Sequence, residues 1–281
     1  MQGRTLPVAL NCPELEVEIV CPASFPGTEK LTQAVPLLAD DGVTAVEVWI
    51  DRPEYFDTGS GVEIQAAMSQ FTRCGVRVHS VHSPFGSHCD ISHPTDKIHE
   101  RGVDALIESI EIASVLEAQY VIVHASDLID EANGITRRLD RARGVLREMA
   151  VVAEQSGIVL ALENLPPGYL GHTPEQLFQL LDGTDETAVA ICFDTGHANL
   201  SGRFEEFAEM LLPRSVTTHL HDNDGAQDQH QVPGEGIIDW PRFARTYRES
   251  GSDAGIMLEC RPPNEMPWSQ AFQLFRSALG D

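Results

Sequence analysis

Basic residues are scarce in this chain, whose 281 residues include 19 lysines and arginines against 43 aspartates and glutamates. A formal net charge of −24 repels polyanions over most of the surface, so the composition argues against nucleic acid as a partner. Long apolar runs are also missing, and none approaches the ~20 residues of a transmembrane helix. The opening segment, MQGRTLPVALN, holds too short an apolar stretch for a secretion signal. We therefore expect no membrane contact.

The six cysteines are dispersed and show no CxxC spacing. In a chain of this size they are typical of reduced, mostly buried thiols rather than of a disulfide framework, so we expect a cytoplasmic protein. The 42% apolar content suffices for a large core, and no linker, repeat or low-complexity tract divides the chain. Residues 1–281 are accordingly interpreted as a single domain. Whether that domain forms a homo-oligomer is left open by the sequence.

Short apolar runs alternate with amphipathic stretches along the whole chain. Eight runs indicate buried parallel strands: VEIVCPA, AVEVWID, VRVHSVH, YVIVHAS, VLALENL, AVAICFD, SVTTHLHD and GIMLECR. Between them, apolar residues recur at three- and four-residue intervals, as in 97–117 and 140–156, which predicts helices. The first strand leads into CPASFPG, which is not a glycine-rich phosphate loop and argues against a dinucleotide-binding sheet. The pattern predicts an α/β fold, a single (β/α)8 TIM barrel with its site at the C-terminal ends of the strands.

Potential metal ligands stand at the ends of several predicted strands. Glu163 follows the apolar residues of VLALEN, and Glu259 occupies the same place in IMLEC. A buried carboxylate with few cations nearby is costly, so a metal ion explains Glu163 better than a salt bridge does. Asp194 and His197 belong to ICFDTGH, in which Gly196 allows a tight turn that directs both side chains to one side.

The segment TTHLHDNDG carries two further histidines and two acids. Period-two alternation places His219 and His221 on one strand face; His221, nearer the end, is the better ligand, and His219 is a candidate core or supporting histidine. Asp222 and Asp224 are interpreted as solvated loop acids. The remaining candidate ligands are His82, His124, Asp228 and His230. For each of these four, a structural or exposed residue explains the sequence about as well as a ligand does.

Taken together, these motifs resemble the xylose-isomerase-like TIM-barrel superfamily, especially its sugar phosphate isomerase/epimerase branch. The resemblance covers essentially the whole chain and rests on VHSPF, VIVHAS, LALENLP, CFDTGHANL, HLHDNDG with DQH, PGEGIIDW and IMLEC in this order. It implies one divalent ion held by Glu163, Asp194, His221 and Glu259. The superfamily also includes endonuclease IV type AP endonucleases with three zinc ions. Their ligand pattern finds a match at His82, His124, Glu163, Asp194, His197, His221, Asp228, His230 and Glu259.

The resemblance implies a metal-dependent isomerase or epimerase of a sugar or sugar-like polyol, phosphorylated or not, acting through a metal-stabilised enediolate. A mixed carboxylate and imidazole set suits zinc or manganese, as one to three ions, better than magnesium. Glu163 and Glu259 would remove and return protons. The residues expected to contact the substrate are Asn164, His197, Trp49, Phe85 and Trp240. Two alternatives stay open: a multinuclear-zinc phosphoesterase related to the endonuclease IV type, and a barrel that binds metal or sugar without catalysis.

Overall fold

Eight parallel strands close into a barrel in the computed structural model, which describes residues 18–129, 134–263 and 266–280. The strands are β1 (Ile19–Pro22), β2 (Ala45–Trp49), β3 (Arg77–His82), β4 (Tyr120–Val123), β5 (Val159–Glu163), β6 (Val189–Asp194), β7 (Ser215–Leu220) and β8 (Gly255–Leu258). β1 pairs with both β2 and β8, which closes the sheet. The predicted (β/α)8 TIM barrel and its eight predicted strands are therefore confirmed.

Helices connect the strands and cover the outside of the barrel. They are α1 (Leu31–Asp40), α2 (Gly61–Cys74), α3 (Asp96–Val115), α4 (Ile135–Gln155), α5 (Pro174–Leu181), α6 (Thr195–Leu200), α7 (Phe204–Leu211), α8 (Trp240–Ser250) and α9 (Trp268–Ala278). The start of α5 shows how sequence sets a boundary, because Thr173 Oγ1 accepts a hydrogen bond from Gln176 N at 3.2 Å and Pro174 fits the first turn. Within the described ranges, none of these helices has the length and apolar character needed to span a bilayer.

Alternate residues of each strand enter two different cores. In β5, Leu160 and Leu162 pack in the large layer between strands and helices, whereas Ala161 packs inside the barrel. The interior groups are Val20, Ala45 and Met257, and Ile122, Ala161 and Cys192. Because both faces of the sheet are covered, the strands are nearly continuous in apolar character.

A buried ion pair braces the loops that follow β3 and β4. Arg138 of α4 donates to Asp90 Oδ2 at 2.5 Å, and the two side chains are only 6% and 0% exposed. Asp90 also accepts hydrogen bonds from Ser92 N and Ser92 Oγ, each at 2.7 Å, and from Asp127 N at 3.1 Å. One carboxylate thus ties a helix to two loops at the mouth of the barrel.

Replacing Asp90 with asparagine is expected to lower the free energy of unfolding by about 3–5 kcal/mol, because Arg138 then stays buried without a counter-charge. The matched control is Asp140→Asn, in the pair that Asp140 forms with Arg143 on α4. Asp140 is 60% exposed in that pair, so its loss should cost less than ~1 kcal/mol. Urea unfolding followed by circular dichroism measures both variants. Similar losses of stability in the two would show that the buried pair is not a brace.

Candidate metal centre

Period-two alternation carries polar side chains to the mouth of the barrel. Ala161 and Cys192 face the interior of the barrel. Glu163 and Asp194 each follow one of them by two residues and therefore point to the same side of the sheet. The structure brings all nine predicted ligands together, because ring-nitrogen to carboxylate distances of 3.9 Å or less connect them without a break. Eight of them fall into three groups of donors, the second and third of which share His221, and Asp228 lies beside these two groups.

The first group consists of His82, His124 and Glu163. His124 Nε2 lies 3.1 Å and His82 Nε2 3.7 Å from Glu163 Oε2. His82 Nδ1 lies 2.9 Å from the Ser83 carbonyl oxygen, which can only accept, so Nδ1 is the donor. In the neutral ring, His82 Nε2 therefore points a lone pair towards a carboxylate, an arrangement that a cation between them stabilises.

The second group consists of Asp194, His197 and His221. Asp194 caps α6, since its Oδ1 accepts from His197 N at 2.6 Å, and its Oδ2 lies 3.2 Å from His221 Nε2. Asn164 braces it, donating to Asp194 O at 2.9 Å and accepting from Asp194 N at 2.8 Å. Asn164 is fully buried. Its observed role is to hold Asp194, and the substrate contact expected of it stays a prediction.

Gly196 makes room for this second group. A Cβ atom at Gly196 would lie 1.8 Å from His221 Cε1, so no other residue fits there without moving the imidazole. The glycine lies in α6 with an ordinary backbone conformation rather than in the left-handed region. Glycine is required at this position because the His221 ring occupies the space of a side chain, and not because the backbone makes the tight turn that the sequence suggested.

The third group consists of His221, His230 and Glu259. The rings of His221 and His230 stack at 4.1 Å, and His230 Nδ1 donates to the Glu259 carbonyl oxygen at 2.7 Å. Asp228 Oδ2 joins this group to the second, lying 3.2 Å from His230 Nε2 and 3.5 Å from His197 Nε2. His230 has a φ of 49°, which non-glycine residues rarely adopt and which concentrates at functional sites.

Asp222 holds the loop that carries Asp228 and His230. It is fully buried, and its carboxylate accepts four hydrogen bonds of 2.7–3.2 Å. The donors are Asn223 N, Gly234 N, Ile238 N and Trp240 Nε1. The interpretation of Asp222 as a solvated loop acid was therefore wrong. Asp224 does lie towards the solvent, where it accepts from the backbone of the next turn.

The three aromatic residues that were expected to contact the substrate lie in two different places. Trp49 stacks on His82 with ring centroids 4.2 Å apart, and Phe85 lies 4.2 Å from His124, so both rings support candidate ligands. Trp240 is only 1% exposed and packs against two phenylalanines of the core, with its indole nitrogen bonded to Asp222. The expectation that Trp240 contacts the substrate is corrected. α8 begins at this residue, and the indole ring packs into the core between strands and helices rather than into the mouth of the barrel.

Sequence reasoning missed Glu47, which lies inside the barrel just below the cluster. Glu47 is fully buried, and its Oε2 lies 3.1 Å from His219 Nε2. A signal was present: AVEVW places one acid in the middle of an apolar strand, with no basic residue beside it. His219, left open between a core and a supporting role, is also fully buried and contacts the carboxylates of the cluster.

The cluster fits a metal ion. Its buried atoms without a hydrogen-bond partner among the described residues are His82 Nε2, His219 Nδ1, His221 Nδ1 and Glu259 Oε2. Each such atom costs ~1–3 kcal/mol if nothing satisfies it, so four in one place indicate a missing ligand. A tetrahedral zinc ion ~2.1 Å from its ligands keeps them about 3.4 Å apart, similar to the separations in this cluster.

Charge around the cluster favours a cation as well. Burial raises the pKa of Glu163, but neighbouring histidines outweigh this and hold the pKa well below its usual value. Burial also raises the pKa of Glu259, but His219 outweighs this effect and lowers the pKa to about 2. Burial lowers the pKa of His230, yet Asp228 and Glu259 raise it to about 9. A bound cation would replace these protons, because a histidine must be neutral at the ligating nitrogen.

The chain is similar to known proteins over most of its length. Residues 35–278 match the family described as "Xylose isomerase-like TIM barrel". "Uncharacterized protein MJ1311" of Methanocaldococcus jannaschii is 31% identical, over 82% of this chain and 79% of its own. A solved structure of a D-tagatose 3-epimerase-like protein has a TM-score of 0.82 and 29% identity, covering 94% of this chain and 97% of that one. "Probable endonuclease 4" of Natronomonas pharaonis is 27% identical, over 79% of this chain and 83% of its own.

Replacing Gly196 with alanine is expected to weaken zinc binding about tenfold to hundredfold, because the new methyl group displaces the His221 ring. The backbone at Gly196 accepts a side chain, so the fold should persist. Gly144→Ala in α4 is the matched control, since a methyl group there meets nothing within 4 Å. Competition with a chelator measures zinc affinity, and circular dichroism checks the fold. Unchanged affinity in Gly196→Ala would mean that His221 is not a ligand.

Proposed function

Because the chain belongs to the xylose isomerase-like TIM barrel family, we propose that it is a divalent-metal-dependent isomerase or epimerase of a sugar or sugar-like polyol. The observation that carries this proposal is the approach of two buried glutamates to one point. Glu163 Oε2 and Glu259 Oε2, from β5 and the end of β8, lie 3.3 and 3.2 Å from the same atom, His219 Nδ1. A substrate carbon held above that point would have a carboxylate on each side, as inversion by two acid–base groups requires.

Glu163, Asp194, His221 and Glu259 would hold the metal, which when bound supplies positive charge against a developing oxyanion. Glu259 removes the proton from the carbon next to the carbonyl group, and the bonding pair moves onto the carbonyl oxygen to give an enediolate. Glu163, once it has taken up a proton from water, gives that proton to the opposite face of the same carbon as the carbonyl group re-forms, and Glu259 loses its proton to water. His197 binds a substrate oxygen. Trp49 and Phe85 keep the imidazoles on which they pack in place and exclude water from them.

A small ketose is the substrate class that these features favour. Most of the donors reach solvent through few atoms, since the side chain of Glu259 is 7% exposed and that of His230 14%, whereas Asp228 at the rim is 34% exposed. The net charge of −24 favours an uncharged sugar over a polyanion. The similar structure described as D-tagatose 3-epimerase-like supports epimerisation at carbon 3 of a ketose.

A multinuclear-zinc phosphoesterase is the second candidate, and the third donor group favours it. Asp228 and His230 contact His197 and His221, which extends the set beyond the four ligands of a single ion. Clustered zinc ions stabilise both the attacking and the leaving oxygen in phosphate-ester hydrolysis. The similarity to "Probable endonuclease 4" supports this candidate, and the acidic composition opposes a DNA substrate.

The protein loaded with manganese or zinc is expected to exchange the hydrogen at carbon 3 of D-tagatose or D-fructose for deuterium in deuterated water, as followed by proton NMR. Glu259→Gln should lower the exchange rate by at least about a hundredfold, because loss of a general base costs ~10²–10⁴-fold. Glu235→Gln is the control, since Glu235 is an exposed acid of the loop after β7 and should exchange like the wild type.

Each other outcome has a definite meaning. Retained exchange in Glu259→Gln would remove its acid–base role. Absence of exchange with any ketose, together with three bound zinc ions and cleavage of a duplex that contains an abasic site, would support the phosphoesterase instead. Tight metal binding without either activity would support a binding barrel.

A further inference from the structure

A further buried carboxylate lies beneath the proposed metal ligands. Glu47, at the middle of β2, is 0% exposed. Its Oε1 accepts a hydrogen bond from Trp49 Nε1 at 3.0 Å, and its Oε2 accepts from Ser80 Oγ at 2.7 Å. The same Oε2 lies 3.1 Å from His219 Nε2. Contacts from β2, β3 and β7 therefore fix this carboxylate in one orientation.

The other nitrogen of His219 faces the proposed acid–base pair. His219 Nδ1 lies 3.3 Å from Glu163 Oε2 and 3.2 Å from Glu259 Oε2, so it is almost equidistant from the two carboxylates. The ring is 0% exposed and stacks against His82 at 5.7 Å. One imidazole thus connects Glu47, on one side of the barrel, with both glutamates of the site.

We propose that Glu47 and His219 form a positioning pair, in which Glu47 fixes the His219 ring and the ring sets the separation of Glu163 and Glu259. His219 has no exposed surface, so it would influence a substrate through the groups that it contacts, among them the two glutamates. The kinetic consequence of this inference rests on the proposed isomerase or epimerase function. The effect of the pair on the geometry of a bound metal is independent of that function.

An ordinary core role does not explain these two residues. Burying a carboxylate and an imidazole costs free energy, and apolar side chains such as Val20, Ala45 and Met257 fill the barrel interior without that cost. His219 Nδ1, moreover, has no well-aligned hydrogen-bond partner although two carboxylate oxygens lie beside it. A ring that Glu47 holds beside a cation bound by Glu163 and Glu259 accounts for both observations, because such a cation is what the unpaired Nδ1 atom indicates.

The same carboxylate also reaches a candidate ligand of the first group. The Trp49 indole that donates to Glu47 stacks on His82 at 4.2 Å, with an angle of 26° between the ring planes. Glu47 therefore orients His82 through Trp49, and Glu163 with Glu259 through His219. Loss of its charge should disturb several ligands at once.

Glu47→Gln tests the pair, because it keeps the size of the side chain and an acceptor for Trp49 but can present an amide N–H to His219. We expect kcat for ketose exchange to fall about tenfold to hundredfold while KM stays within about threefold, as for the loss of residues that support metal ligands. The visible absorption bands of the cobalt-substituted protein should shift. Ser80→Ala, which removes one donor to Glu47, should lower kcat about threefold to tenfold.

His79→Gln is the matched control. His79 is another buried strand histidine, and its Nε2 bonds to Thr217 Oγ1 at 2.9 Å rather than to a carboxylate of the cluster. This variant should lose stability but keep the wild-type cobalt spectrum and kcat. Wild-type cobalt spectra in both Glu47→Gln and Ser80→Ala would overturn the positioning pair. If the wild-type protein shows no exchange at all, the proposed function fails, and the cobalt spectra still decide on the pair.

Discussion

The cost of burying negative charge without a basic partner is the constraint on which the mouth of this barrel depends. The side chains of Glu163, Asp194 and Glu259 are at most 7% exposed, and within the described residues their ion-pair partners are all histidines. Among the described residues, arginine forms its one buried pair elsewhere, between Arg138 and Asp90. An arginine side chain is always charged and neutralises a carboxylate by itself, whereas a neutral histidine leaves the negative charge of the carboxylate unbalanced. The donor set of this site therefore fits an external cation.

Several residues of the barrel hold this arrangement without belonging to it. Asn164 fixes the backbone of Asp194, Asp222 anchors the loop after β7, and Gly196 leaves the space that an imidazole occupies. Glu47, below the site, forms hydrogen bonds with its neighbours in the barrel interior and so supports the cluster from that side. Apart from Gly196, these supports are polar and buried, so each has its own hydrogen-bond partners and each allows few alternatives. The precision of the metal centre thus depends on interactions one layer away from it.

The sequence was sufficient for the barrel and for the carboxylates at the strand ends because both signals are local, whereas the full set of nine candidate ligands followed from the family resemblance. Apolar runs mark the strands, and a polar residue directly after a run lies at the mouth by alternation alone. Glu47 was missed since its partner His219 is 172 residues away and only barrel closure brings the two together. Asp222 resembled any loop acid because its most distant donor, Trp240, comes 18 residues later. Trp240 itself was misplaced for the same reason, as nothing in PGEGIIDW shows which way the first turn of α8 faces.

Strands and loop contribute differently to the three donor groups. Glu163 and Asp194 end β5 and β6, so barrel register fixes their positions. Asp228 and His230, by contrast, stand on the loop before α8, where the hydrogen bonds of Asp222, the bond from His230 Nδ1 to the Glu259 carbonyl oxygen and a left-handed backbone at His230 hold them in reach. A small displacement of that loop would remove donors of the third group and leave the strand-borne ligands of one ion intact. Under the proposed function, occupancy of the third donor group would therefore depend on this loop rather than on the barrel, and with it the balance between carbon acid–base chemistry and phosphate-ester hydrolysis.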